Sequence, residues 1–505
     1  MSDTDAGGTS GLKRDLKSRH ITMIAIGGSI GTGLFVASGA TIAEAGPGSA
    51  LLAYSVIGLM VYFLMTSLGE LAAYEPVAGS FSTYGRRYVD EAFGFALGWN
   101  YCYNWAVTVA VDLVAAQLVM GWWFPDVPGT LWSALFLGFI FLLNYFSVKG
   151  FGETEYWFAL LKVLTVVFFI ATGCAMIFGI LTDDIPAGFA NWTTGDAPFV
   201  GGFPALIGVA MVVGFSFQGT ELIGIAAGET QNPEKAIPQA VRQVFWRILL
   251  FYVLSIFVIS LIIPYTDPRL LKNDIADVAV SPFTLVFEHA GLLSAAALMN
   301  AVILTSVLSA GNSGLYAATR MLYVLALRGD APKCFARLSN SGVPRCALVA
   351  TTAVAGLCFL TSLFDNRDVY LWLLNTSGMC GFIAWLGIAV SHYRFRRGYV
   401  LKGCDLSKLP YRSGFFPWGP IFAFVLCMTI MLGQNYKAFL EDTIDWSSVA
   451  ATYIGIPLFL AVWFGYKLVK KTKFVRYEDM DDRASEPVPA RHPAELPGGR
   501  RPNRR

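Results

Sequence analysis

The chain has 505 residues, of which 55% are hydrophobic and 14% charged, with 37 Lys and Arg against 35 Asp and Glu. A soluble globular protein carries about 25% charged residues; with a mean hydropathy of +0.55, this composition excludes one and points to a membrane protein. The formal net charge of +2 gives no expectation of a nucleic-acid partner.

The apolar runs are roughly 18 to 28 residues long, as membrane-crossing helices require, whereas barrel strands would alternate over about 10. An all-α membrane protein surrounded by membrane lipids is therefore expected. The eight Cys form no CxxC pair, and His20, His289, His392 and His492 share no metal-ligand spacing. No metal and no cofactor is expected, and no catalytic cluster of nucleophile and base argues for an enzyme.

Residues 1–20 are polar, carry Lys13, Arg14, Lys17 and Arg19, and lack the apolar core and cleavage site of a signal peptide. Twelve spans follow, at approximately 21–44, 48–70, 93–121, 130–147, 156–181, 200–223, 246–264, 284–318, 346–363, 369–392, 415–434 and 450–467. With the amino terminus inside, the outer loops hold only Arg269, Lys272, Arg367 and Lys437, so the positive-inside rule puts both termini in the cytoplasm. The expected organisation is a cytoplasmic amino-terminal segment (1–20), a first five-helix repeat (21–181), a second (182–392), a loop with two further helices (393–467) and a cytoplasmic tail (468–505).

Two spans are interrupted at corresponding places, the first at Gly27 to Gly33 and the sixth at Gly214 to Glu221. Gly28 to Gly33 is no nucleotide loop: it lacks the GxGxxG order and the P-loop Lys, and lies in an apolar run. Five spans separate the two starts, which suggests two inverted repeats of five helices with broken helices 1 and 6. A broken helix offers free N–H groups at one half and free carbonyls at the other, and can hold both a carboxylate and an ammonium. Ser29, Gly31 and Thr32 are expected to hold a substrate carboxylate, and carbonyls near Ile26 and Phe215 an α-ammonium. Phe215 and Phe217 are expected to cover the substrate as an aromatic gate, although either can equally be core.

The ionisable residues in apolar sequence are Glu70, Asp112, Glu155, Lys162 and Glu221, with Glu229 just beyond the sixth span. Glu221 follows Gly219-Thr220 in the interruption; a carboxylate there predicts a cationic side chain on the substrate, L-lysine above all. The alternatives are that Glu221 caps the restarted helix or pairs with Arg242. Lys162 is read as the only basic residue inside a span, and it either carries a coupling proton or snorkels to the interface. Glu70 is expected to pair with Arg86 or Arg87, and Glu229 to cap the helix near Asn232-Pro233. Asn100, Asn104, Thr108 and Asp112 recur every fourth residue and form one polar face, with Asn104 and Thr108 as candidate substrate contacts and Asp112 as a reserve proton carrier. A second polar run contains Asn300, Thr305, Ser306, Ser309, Asn312 and Ser313.

The stretches His20 to Phe35, Gly46-Pro47-Gly48 and Gly214 to Glu229 carry a family resemblance. The chain resembles the amino acid permeases of the amino acid, polyamine and organocation superfamily, especially the lysine-transporting bacterial members. The resemblance implies the LeuT-like fold of two inverted five-helix repeats, proton-coupled uptake of L-lysine across a bacterial inner membrane, and a lysine in the fifth span, matched by Lys162, that stands at a sodium-site position and serves proton coupling. It also implies that the unwound sixth helix completes the pocket, with Thr220 and Glu221 beside the substrate. Alternating access would rock helices 1, 2, 6 and 7 against 3, 4, 8 and 9. Exchange of lysine for a related amino acid, or a sensor role with little transport, remain the rival expectations.

Overall fold

The computed structural model describes residues 16–27, 30–146, 148–181, 189–271, 281–289, 291, 293–364, 366–439, 444 and 446–480. Among them the chain is all-α, with two isolated β-bridges, Leu16 to Thr230 and Asp90 to Phe474. In order the helices are α1 (Ser18–Gly27), α2 (Thr32–Phe35), α3 (Ala37–Tyr74), α4 (Ser80–Tyr88), α5 (Glu91–Gly121), α6 (Gly129–Phe146), α7 (Val148–Ile177), α8 (Gly202–Phe217), α9 (Leu222–Ala226), α10 (Pro233–Arg247), α11 (Leu254–Ile262), α12 (Pro268–Leu271), α13 (Pro282–His289), α14 (Leu293–Leu327), α15 (Arg345–Ala355), α16 (Asn366–Leu401), α17 (Trp418–Gly433), α18 (Trp446–Tyr453) and α19 (Gly455–Lys470). A π-helical turn, Ile248–Val253, joins α10 to α11.

Local sequence explains several starts. Asp90 caps α5 by accepting from the Ala92 N–H at 3.3 Å, with Glu91 in the first turn. Pro233 opens α10, where a missing N–H costs nothing.

Among the described residues, nine helical stretches are long and apolar enough to cross a membrane. The twelve expected spans differ from these for physical reasons. The first is broken into α1, α2 and the start of α3; the eleventh, α17, has 16 residues; the twelfth is divided between α18 and α19. The expected gap between the first two spans survives as a kink inside α3, at Gly46 (φ 79, ψ 168) followed by Pro47. The eighth helix starts at Leu293 rather than 284, because α13 is a separate helix. Its leading residue Ser281 donates to the Phe35 carbonyl at 2.5 Å, and Phe283 packs on Phe35 and Phe169 at 4.9 and 4.4 Å between ring centroids.

The packing forms two groups. In one, α3 lies on α8, α10 and α11, with α1 against α10; in the other, α5 lies on α14 with α6 and α15 beside them. Helix α16 bridges the groups through α5 and α8, and α7 through α1 and α14. The outward residues of α6, Leu131, Leu135, Phe139, Leu142 and Phe146, are exposed and apolar, the pattern of a lipid-facing helix.

Candidate substrate site

The two interruptions meet. Helix α1 ends at Gly27 and α2 starts at Thr32 with Gly31 as its N-cap; Gly28 and Ser29 lie outside the described residues, and the Ser29 assignment with them. Helix α8 runs through Gly214, Phe215 and Ser216 to Phe217, so the sixth-span break is confined to residues 218–221: Gln218 turns to φ −60, ψ 147, and α9 starts at Leu222. Two glycines are obligatory here. A Cβ on Gly33 would lie 2.4 Å from the Ser216 Cα, so only hydrogen lets the broken helices touch. Gly219 has φ +94, a conformation that L side chains rarely adopt.

Glu221 is buried in the break. Its carboxylate accepts from Tyr101 Oη of α5 and Trp385 Nε1 of α16, both at 3.2 Å, and from the Gly219 N–H at 3.4 Å. It precedes α9, but its side chain makes no capping bond, and Arg242 is exposed; neither alternative role is seen. A buried cation, Arg247 at the end of α10, stands beside the break and donates from Nη2 to Thr220 Oγ1 at 2.7 Å. Thr220 Oγ1 in turn donates to the Phe217 carbonyl at 2.6 Å. This corrects the expectation that Lys162 is the only basic residue within a span: Arg247, inside the span expected at 246–264, is buried too, and so are Arg320 and Arg396, because their helices extend past the expected spans.

Ile26 lies in the last turn of α1 and is half-buried. The Phe215 carbonyl accepts from the Gln218 N–H at 3.1 Å, so one of its lone pairs is engaged. Phe215 is buried. The Phe217 ring stacks on Tyr252 at 4.2 Å and leans on Tyr54 at 6.0 Å, packed toward α3 and the π turn.

The polar face of α5 bridges three elements. Asn100 Nδ2 donates to the Cys380 carbonyl of α16 at 2.8 Å, Ser377 Oγ donates to Asn104 Oδ1 at 3.0 Å and lies 2.6 Å from Thr108 Oγ1. Gln218 in the break reaches the Ser377 and Gly378 carbonyls at 3.3 Å. One turn further, Asp112 accepts from the Thr32 hydroxyl at the start of α2. Lys162 is buried on α7, where the charges of Glu155 and Asp112 act on it. Glu155 Oε1 accepts from Ser309 at 2.9 Å, and Glu155 Oε2 and Asp112 Oδ2 have no hydrogen-bond partner among the described residues. Glu155 thus joins the Lys162 neighbourhood, two turns along the same helix, and so does Ser309 of α14, whose link to it the sequence did not signal. In the second polar run, Asn144 donates to Asn312 Oδ1 at 2.8 Å and Thr284 to Asn300 Oδ1 at 2.9 Å; both tie neighbouring helices together.

Two acidic residues have partners other than those expected. Glu70 is bidentate with Arg396 of α16, at 2.6 and 2.5 Å, and accepts from the Ser413 N–H at 2.7 Å. Arg86 pairs instead with Asp330 at 2.8 Å and Arg87 with Glu75 at 2.7 Å. Glu229 pairs with Arg320 at 2.5 Å and Tyr316 at 2.9 Å on α14; it caps no helix. A buried carboxylate needs a cation more than a helix end needs a cap.

The arrangement can bind a zwitterion at unwound backbone and a cationic side chain at Glu221. Among the described residues no group of three His, Cys, Asp or Glu could hold a metal ion. Comparison with known proteins gives the same direction. Residues 20–478 match a family model described as amino acid permease. The chain is 75% identical over 480 residues to the lysine-specific permease LysP of Escherichia coli (strain K12), covering 95% of this chain and 98% of that one. It is 54% identical to the lysine-specific permease LysP of Lactococcus lactis (strain MG1363), over 93% of this chain and 92% of that one. It is 52% identical to the histidine permease HisP of the same organism, over 93% and 98%.

Proposed function

We propose that this chain, which belongs to the amino acid permease family, imports L-lysine across the bacterial inner membrane by proton-coupled alternating access. It is a transporter and not an enzyme. The observation that carries the lysine reading is the 75% identity to a lysine-specific permease over 95% of the chain, joined to a buried carboxylate, Glu221, at a break in the sixth span. Overall likeness alone would not choose the substrate, since a histidine permease is 52% identical.

Twelve spans are proposed, ten of them in two inverted repeats, 21–181 and 182–392, and two in 393–467, with both termini cytoplasmic. The paired breaks five spans apart and the two packing groups support that architecture. The free N–H groups at Gly31 and Thr32, with Ser29, receive the carboxylate; carbonyls at Ile26 and Phe215 receive the α-ammonium; Glu221 takes the side-chain ammonium, with Asn104, Thr220 and Phe217 in the surrounding shell. Phe215 covers the substrate, while Phe217 serves by fixing α8 against Tyr252. Lys162 exchanges the coupling proton with Asp112, the carboxylate that links it to Thr32 in the first break, so protonation and substrate binding act on the same half-helix. Glu221 is a further proton-coupling candidate, taking a proton transiently as the substrate's ammonium leaves it.

Competition in labelled-lysine uptake tests the selectivity. Lysine should compete fully and the uncharged analogue norleucine at least about tenfold more weakly, the value of one charge-assisted contact. Equal competition by norleucine would remove Glu221 from substrate choice.

A further inference from the structure

Arg247 is a buried guanidinium placed where the proposed site receives a second cation. Its Nη2 donates at 2.7 Å to Thr220, the residue preceding Glu221, and the Glu221 charge acts on it. It is the last residue of α10 before the π-helical turn Ile248–Val253. Tyr252, five residues on, donates to the Ser216 carbonyl at 3.0 Å and stacks on Phe217 at 4.2 Å. A π turn repeats with i→i+5 bonds and often marks a functional position. Here residues 247 and 252 both grip the segment 216–220 of the broken sixth helix.

A net importer has to cross the membrane twice per cycle, once loaded and once empty. In the loaded carrier a lysine ammonium compensates Glu221. In the empty carrier that carboxylate would face only neutral donors, Tyr101, Trp385 and the Gly219 N–H, and a buried charge left without a counter-charge is strongly unfavourable. We propose that Arg247 is the internal counter-cation of Glu221 in the empty carrier, and that the side-chain ammonium of the substrate takes its place on loading. Arg247 is then a positioning residue: it makes the return of the empty carrier possible and sets the cost a cationic substrate must exceed to enter. The inference rests on the reading that Glu221 receives the substrate's charged side chain.

The two halves of the cycle can be measured apart. Full-length protein in liposomes is assayed for net lysine uptake, with no amino acid inside, and for lysine–lysine exchange, which needs only the loaded carrier. Arg247→Gln keeps a donor for Thr220 and removes the charge; Arg247→Lys keeps the charge. Arg247→Gln should lose net uptake by at least about tenfold, retain exchange within about twofold, and show a lower KM for lysine in exchange; Arg247→Lys should restore net uptake. A parallel fall of uptake and exchange in Arg247→Gln, or no change in either, overturns the proposal. Arg247→Met, assayed alongside, should show the same split, so a folding failure of one variant leaves the other to decide. Glu221→Gln separates the underlying reading: if its lysine KM equals that of the unaltered protein, Glu221 does not bind the side chain and the site reading fails, whatever Arg247 does.

Discussion

Glu221 is held by three donors from three places, Tyr101 on α5, Trp385 on α16 and the Gly219 N–H in the break. That fixes a carboxylate direction before any substrate arrives, and preorganisation of this kind reduces the cost of binding. Tyr101→Phe removes one hydrogen bond to a charged group, and the KM for lysine should rise about tenfold, with little change in the KM of neutral competitors; uptake kinetics check this. Lys162→Met removes a buried ammonium whose charge partners are Glu155 and Asp112. Lysine–lysine exchange should persist in it, while accumulation should cease to follow an imposed pH gradient. In the segment after α11, burial pushes the Asp267 carboxyl up, but hydrogen bonds from the Arg269 side chain and backbone and from His289 outweigh this and hold it below the ordinary carboxylate value. A carboxylate with a depressed folded-state pKa stabilises above its unfolded value of about 3.9 and loses that contribution as pH falls further. The melting temperatures of the unaltered protein and Asp267→Asn should therefore differ at neutral pH and converge toward pH 3.

At the scale of elements, the contact of the two broken helices is the sensitive point. Gly33→Ala would drive a methyl to 2.4 Å from the Ser216 Cα; overpacking of this sort costs about 1–3 kcal/mol. It should lower the melting temperature and abolish uptake, whereas Gly138→Ala on α6, where a Cβ would meet nothing within 4 Å, should do neither. Much of this layer was legible in the sequence, because breaks and helical faces are written in neighbouring residues. The glycine-containing runs gave both interruptions, and the four-residue recurrence of Asn100, Asn104, Thr108 and Asp112 gave the face that meets α16 and α2; the kink at Gly46-Pro47 reads in the sequence as a gap between two spans instead. What was not legible depends on distant partners. Glu70 ends the span that leads into the loop and helix carrying Arg86 and Arg87 but pairs with Arg396, and Glu229 sits beside a helix start but pairs with Arg320. Arg247 escaped for a different reason: it stands at the edge of the span expected at 246–264, where a snorkelling residue looks the same, and the start of α10 at Pro233 places it well inside a helix.

Across the whole molecule, buried ion pairs tie one packing group to the other and to the elements that bridge them. Glu70–Arg396 joins α3 to α16, and Glu229–Arg320 joins the end of the sixth-span segment to α14. Bonds so placed must break or persist together when one group moves against the other, so they set the balance between conformations as well as stability. Glu70→Gln leaves Arg396 buried without its bidentate partner, and loss of one member of such a pair costs about 3–5 kcal/mol; a lower melting temperature in detergent should report it. The proposed cycle carries lysine against its gradient at the expense of a proton gradient, with Glu221 selecting the cation. Uptake of labelled L-lysine into liposomes holding the purified protein, with an imposed pH gradient, no sodium and no internal amino acid, tests it most directly. Gradient-driven accumulation should appear, be lost in Glu221→Gln and be uncoupled from the gradient in Lys162→Met. Flux only when amino acid is loaded inside would make the protein an exchanger and contradict the proposal.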